Sequence, residues 1–86
     1  MAVATPWEKD PGEPWKTLGV RALVFERAAA ALERSAVLAE QHAAHYERLG
    51  HLELAQLERV AGARARRAAQ RARCAAAEVS DLNVRG

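Results

Sequence analysis

Residues 25–50 read FERAAAALERSAVLAEQHAAHYERLG and break every seven residues into FERAAAA, LERSAVL, AEQHAAH and YERLG. Two files run through this metre. Leu18, Phe25, Leu32, Ala39 and Tyr46 form one; Ala22, Ala29, Ala36 and Ala43, four residues later in each heptad, form the other. Their 4-3 alternation is the repeat of a left-handed helical seam. One file is mostly large and the other is alanine throughout, and small side chains let two helix backbones come close. The stretch therefore predicts a long helix with an alanine-rich, coiled-coil-like seam.

Outward from this stretch, Gly50 interrupts the pattern and is the expected helix stop, because glycine accepts a left-handed backbone without steric cost. The first helix is expected over about 16–49 and the second over about 52–78, joined too tightly for anything but an antiparallel pair. Either Thr17 caps the first helix or Pro14 opens it. The second helix offers Leu54, Leu57, Ala61, Ala65, Ala68, Ala72, Ala75 and Val79 as its stripe. With the turn at Gly50 and His51, residue i faces roughly residue 101 − i, so Ala36 meets Ala65, Ala29 meets Ala72 and Ala39 meets Gly62. The fold class expected is all-α: a long antiparallel αα-hairpin with an extended N-terminal arm. The arm covers 1–16, the hairpin 17–79 and a short polar tail 80–86. The arm holds all three prolines and both tryptophans. Its prolines favour extended backbone.

The polar face of the first helix is narrow. Glu26, Glu33, Glu40 and Glu47 recur every seven residues, while Val20, Leu23, Val24, Val37 and Leu38 point away from the seam at about 100° per residue. A single returning helix leaves these five uncovered, which makes them expected partner-interface residues. The candidate covers are Trp7 and Trp15 of the arm, a second copy of the chain, or another protein. The arm is expected to fold back or cross to a second subunit, with docking into another protein as the alternative. Two hairpins face to face make a four-helix bundle, and twofold pairing is the commonest route to one. Energetics point the same way. Residues 61–78 contain no large aliphatic or aromatic side chain. Each buried methyl contributes only about 0.8 kcal/mol, against roughly 1–2 kcal/mol of backbone entropy per ordered residue.

Composition bounds the class. With 86 residues the chain is one domain at most. Arginine and alanine favour helix; GC-rich coding favours the same residues but does not produce the metre. Cys74 is the only cysteine, so no internal disulfide forms, which fits a reducing compartment. Pro6, Glu8, Lys9 and Asp10 stand where a secretory leader would be apolar, and no apolar run approaches the roughly 20 residues of a membrane span. The expectation is a soluble, cytoplasmic protein with no membrane partner and no small-molecule substrate.

Three clusters raise chemical questions. The segment 59–73 carries Arg59, Arg64, Arg66, Arg67, Arg71 and Arg73 and no acid. These side chains suit phosphates, hence nucleic acid, or an acidic protein. Their heptad spacing supports a solvated face or pairing with Glu26 and Glu33 across the hairpin, which is the first expectation for them. No aromatic residue interleaves them, which argues against single-strand stacking. His42, His45 and His51, near Glu40 and Glu47, are the weak metal candidates. Zinc asks for three or four convergent ligands, and the Glu-x-x-His motif of di-iron bundles is absent. The expectation is no metal and no cofactor, with His45 as an interface residue continuing Val24, Ala31 and Leu38. No phosphate loop and no serine or cysteine beside a histidine is present, so no enzyme is expected, and Cys74 is expected to be a packed thiol.

The segment AHYERLGHLELAQ, with Ala43, Tyr46, Leu49, Gly50, Leu52 and Ala55 at matching spacing, resembles the turn of a tetratricopeptide repeat over about a sixth of the chain. The resemblance implies a shared hairpin turn. The tryptophan position of that motif is Ala39 here, the helices are about twice too long, and no second repeat follows, although such repeats need neighbours. The functional expectation is a non-enzymatic helical interaction or assembly module. The alternative is a basic helical nucleic-acid-binding protein using the second helix.

Overall fold

The computed structural model describes residues 14–85, with side chains described for 18–82 and 84. Two helices, α1 (Pro14–Arg48) and α2 (Leu52–Arg85), pack against each other along the hairpin. Among the described residues there is no strand. Residues 1–13 of the expected arm, Trp7 among them, and the side chain of Trp15 lie outside the described residues.

The turn leaves few backbone groups without partners. Gly50 has φ 79°. The Gly50 amide donates to the Glu47 carbonyl (3.0 Å) and the His51 amide to the Tyr46 carbonyl (2.9 Å). These two bonds make a Schellman cap, which satisfies carbonyls a helix end otherwise orphans. The His51 carbonyl then accepts from the Ala55 amide at 3.0 Å, so α2 begins one residue after α1's cap is complete. The Tyr46 ring meets the His51 ring edge-on, with centroids 6.4 Å apart.

The seam of α1 is the expected one. Ala22, Ala29, Ala36, Ala39 and Ala43 are buried, while Leu18, Phe25, Leu32 and Tyr46 are half-buried at its edge. The seam of α2 differs from expectation. Its deep file is Ala55, Gly62, Ala69 and Ala76, flanked by half-buried Glu58, Ala65, Ala72 and Val79. Leu54, Leu57 and Ala61 are exposed. The reason is steric: between backbones this close, only methyl groups and hydrogens fit. A Cβ built on Gly62 would sit 3.4 Å from the Ala36 carbonyl oxygen and 3.5 Å from the Ala39 Cβ. That contact also fixes the register, with Ala39 against Gly62 as expected. The consequence is a core in which, among the described residues, every buried apolar side chain is alanine and no large side chain is fully buried.

The ends also differ. α1 opens at Pro14, where the missing amide hydrogen costs nothing because the first-turn donors have no helical partner. Residues 14–16 thus belong to the helix and not to the arm. α2 continues past 78 to Arg85, through the expected tail. No proline or glycine intervenes before Gly86, and Val79 carries the seam file onward.

Candidate interaction surface

The seam has two flanks. On one, the glutamate file of α1 meets an arginine file of α2 at matching heptad spacing. Glu33 pairs with Arg73, Glu40 with Arg66 and Glu47 with Arg59. In the middle rung the Glu40 carboxylate accepts from Arg66 Nε at 2.8 Å, and Arg66 Nη2 lies 2.6 Å from the same oxygen as an ion pair. The Arg73 hydrogen bond holds the Glu33 carboxyl below its ordinary range, and Glu33 in turn raises the Arg73 guanidinium. Glu26, expected to pair with this arginine run, instead shares a shallow cleft with Ser80 and Arg73 and makes no ion pair within 4.0 Å. The next heptad of α2 supplies serine where an arginine would complete a fourth rung.

The other flank has no such closure. Its α1 side carries Val24, Ala31 and Leu38, with Ala28 and Ser35 nearer the seam; its α2 side carries Leu54, Leu57 and Leu82 around Ala61, Ala68 and Ala75. Leu57 is 66% exposed, Val24 59% and Leu38 52%. The half-buried small residues of α2 were expected at the seam centre. A rotation of α2 that puts Arg59, Arg66 and Arg73 opposite glutamates carries them to this edge. At the terminal end of the flank, Val20, Arg21, Val24, Phe25, Ala75, Glu78 and Val79 line an open groove of about 470 Å³. At the turn end, Leu49, Leu54 and Leu57 stand proud of the surface.

The five expected interface residues of α1 are all exposed, but they do not share one face. Val24 and Leu38 lie on the open flank. Leu23 and Val37 lie beyond the glutamate file on the other side, and Val20 lies at the outer lip of the groove that ends the open flank. Sequence reasoning missed Leu49, Leu54, Leu57 and Leu82 as surface residues. The available signal was the second heptad file at 55, 62, 69 and 76, whose glycine marks it as the closer contact.

The six candidate arginines divide. Arg59, Arg66 and Arg73 are in the ladder. Arg64 and Arg71 continue the heptad file of Leu57 at the outer edge of the open flank, and Arg67 projects from the back of α2; all three are exposed, with no ion pair among the described residues. The three histidines do not converge. His42 Nδ1 lies 3.7 Å from the Glu58 carboxylate, His45 lies beside Tyr46, and His51 sits in the turn. Among the described residues no three His, Cys, Asp or Glu side chains gather to hold a metal. Cys74 is exposed, not packed, since its heptad position is on the outer side of α2 near Arg67, Arg71 and Glu78. No described helix is long and apolar enough to cross a membrane.

The sequence matches no protein-family profile, and no curated protein and no solved structure is significantly similar to it.

Proposed function

We propose that the protein is a non-enzymatic helical assembly module, cytoplasmic, whose partner covers the open flank of the hairpin and completes a four-helix bundle. One observation carries this reading. Large apolar side chains are exposed along a hairpin whose buried apolar side chains, among the described residues, are all alanine. Alanine burial yields little stabilisation per residue, so the ordered hairpin gains most by burying its valines and leucines against another surface. Apolar surface of this extent marks an interaction site more often than a solvated face. The test is mass in solution at micromolar concentration. The expected result is a mass above the 9.4 kDa of one chain, returned to that value, or accompanied by unfolding, in Leu38→Glu. A stable monomer, unchanged by Leu38→Glu, would remove the support for this reading.

A second reading, nucleic-acid binding, is favoured by Arg64, Arg67 and Arg71 having no carboxylate partner. Phosphate contacts release counterions, so such binding weakens steeply with salt. Retention of random-sequence DNA or RNA that collapses between low and moderate salt would establish it. Absence of retention at low salt would end it.

A further inference from the structure

Resting on the nucleic-acid reading, we propose that Arg64, Arg67 and Arg71 form one stripe that takes the phosphate backbone of a nucleic-acid duplex, whatever its base sequence. Spacings of three and four residues make them neighbours on a helix surface. At about 100° per residue they lie within about 60° of one another, on the outward side of α2. All three are exposed, with no ion pair within 4.0 Å among the described residues. The other three arginines of this segment are already committed, since Glu47, Glu40 and Glu33 hold Arg59, Arg66 and Arg73.

The ladder shapes this field by taking up acids. Among the described residues the carboxylates outside it lie toward the two ends of the hairpin: Glu26, Glu78 and Asp81 at the terminal end, Glu53 and Glu58 beside the turn. The middle of the hairpin is left with exposed charge of one sign outside the ladder. Arg67, Gln70, Arg71 and Cys74 border an open depression of about 410 Å³ on this side of α2. Gln70 adds a neutral donor there. One group opposes an anion: the Glu78 carboxylate borders the same depression.

The chemistry favours a duplex over other anions. A guanidinium fork donates two hydrogen bonds to a phosphate at once. Arg64 and Arg71 are about 10 Å apart along the helix at 1.5 Å per residue. A duplex presents one phosphate charge per about 1.7 Å of its axis, so three guanidiniums meet phosphates in any register. A single strand is less well served, because residues 52–85 contain no phenylalanine, tyrosine or tryptophan on which bases could stack. An acidic protein is less well served too. Residues 61–78 contain no large aliphatic or aromatic side chain, so the stripe offers no apolar anchor of the kind protein interfaces bury.

The experiment uses the full chain and a labelled random-sequence DNA duplex, with binding followed by fluorescence anisotropy over a salt series. Three neutralised phosphates should make affinity fall about fortyfold for a fourfold rise in salt. Arg67→Gln should reduce that fall to about twelvefold, while Arg67→Lys, which keeps the charge, should preserve it. Glu78→Gln should tighten binding. Glu40→Gln combined with Arg66→Gln removes one ladder rung without changing net charge, and should leave the salt dependence as it was. Circular dichroism checks that each variant is as helical as the parent. Duplex binding whose salt dependence survives the loss of both Arg67 and Arg71 overturns the stripe and leaves the nucleic-acid reading standing. Tighter binding of a single strand, or of poly-glutamate, overturns the duplex as its ligand. Absence of binding to any nucleic acid at low salt overturns the stripe and the reading together.

Discussion

The two flanks of the seam are built from the same pair of helices, yet one is complete within the chain and the other is not. On the ladder flank each of three glutamates meets an arginine, and the row holds α2 at one rotation. On the open flank the same rotation turns Leu54 and Leu57 out to solvent. Charge pairs close a surface cheaply because they remain hydrated; leucines close one only by contact with more apolar surface. The difference teaches that the exposed ion pairs contribute orientation more than stability. The rotation they select determines which apolar residues remain for a partner.

The largest expected effect breaks the comparison at its apolar side. Leu38→Glu places an uncompensated charge at the proposed contact, and burying such a charge costs about 3–5 kcal/mol. Its neighbour Val37 faces the ladder side, and Val37→Glu should leave the mass in solution unchanged. Both residues are about half exposed in the single chain, at 52% and 46%, so a difference between them in sedimentation reports the partner and not the hairpin. Equal effects of the two would erase the distinction between the flanks.

The seam between them comes next. Ala29 and Ala36 have no exposed surface, and Gly62 lies against the Ala36 backbone. Ala36→Leu asks the helices to separate. Overpacking of this kind costs about 1–3 kcal/mol, and at about 4–8 °C per kcal/mol for a domain of this size the melting temperature should fall visibly. Thermal unfolding followed by circular dichroism checks it. A variant as stable as the parent would mean that the backbones are not held at their close approach.

Much of this was legible in the residues. The heptads of α1 gave its seam, and Gly50 gave the turn, because both are written in local steric terms. The seam of α2 was less legible. Leu54 and Leu57 look like core by hydrophobicity, but a seam selected for small size has no room for them, and Ala55 and Gly62 take their place. Within α2 the one mark that separates its two small-residue files is Gly62, and the arginines opposite Glu33, Glu40 and Glu47 agree with it. The expected interface was legible as exposed residues and not as a face, since Leu23 and Val37 fall on the far side of the glutamates from Val24 and Leu38. The end of α2 was placed too early because Ser80 and Asp81 read as tail, although neither prevents a helix already anchored at Val79 from continuing.

On the ladder side the expected effects are small, and that smallness is the sharper half of the comparison. Glu40→Gln removes the middle rung, in which both side chains are half exposed. Exposed pairs typically contribute about 0.5 kcal/mol or less, so the melting temperature should barely move, and added salt should shrink even that shift. A loss as large as that of Ala36→Leu would show that the rungs carry stability and would reverse the account of the two flanks.

The smallest effect is the dependence on pH of the Glu33 rung. Its carboxyl is held below its ordinary value of 4.5 chiefly by the hydrogen bond from Arg73. A carboxyl depressed in the folded chain releases its proton more readily there than in the unfolded chain. Its contribution is therefore fully present above the unfolded value and is lost as pH falls through the lower folded value. Stability should decline on acidification below about pH 4.5, and Glu33→Gln should flatten that decline without altering the melting temperature near neutrality by more than a degree or two. The readout is the difference between the two melting-temperature profiles from neutral to acid pH. If the profiles run parallel, Arg73 does not hold Glu33 in solution and the ladder ends one rung earlier, at Glu40 and Arg66.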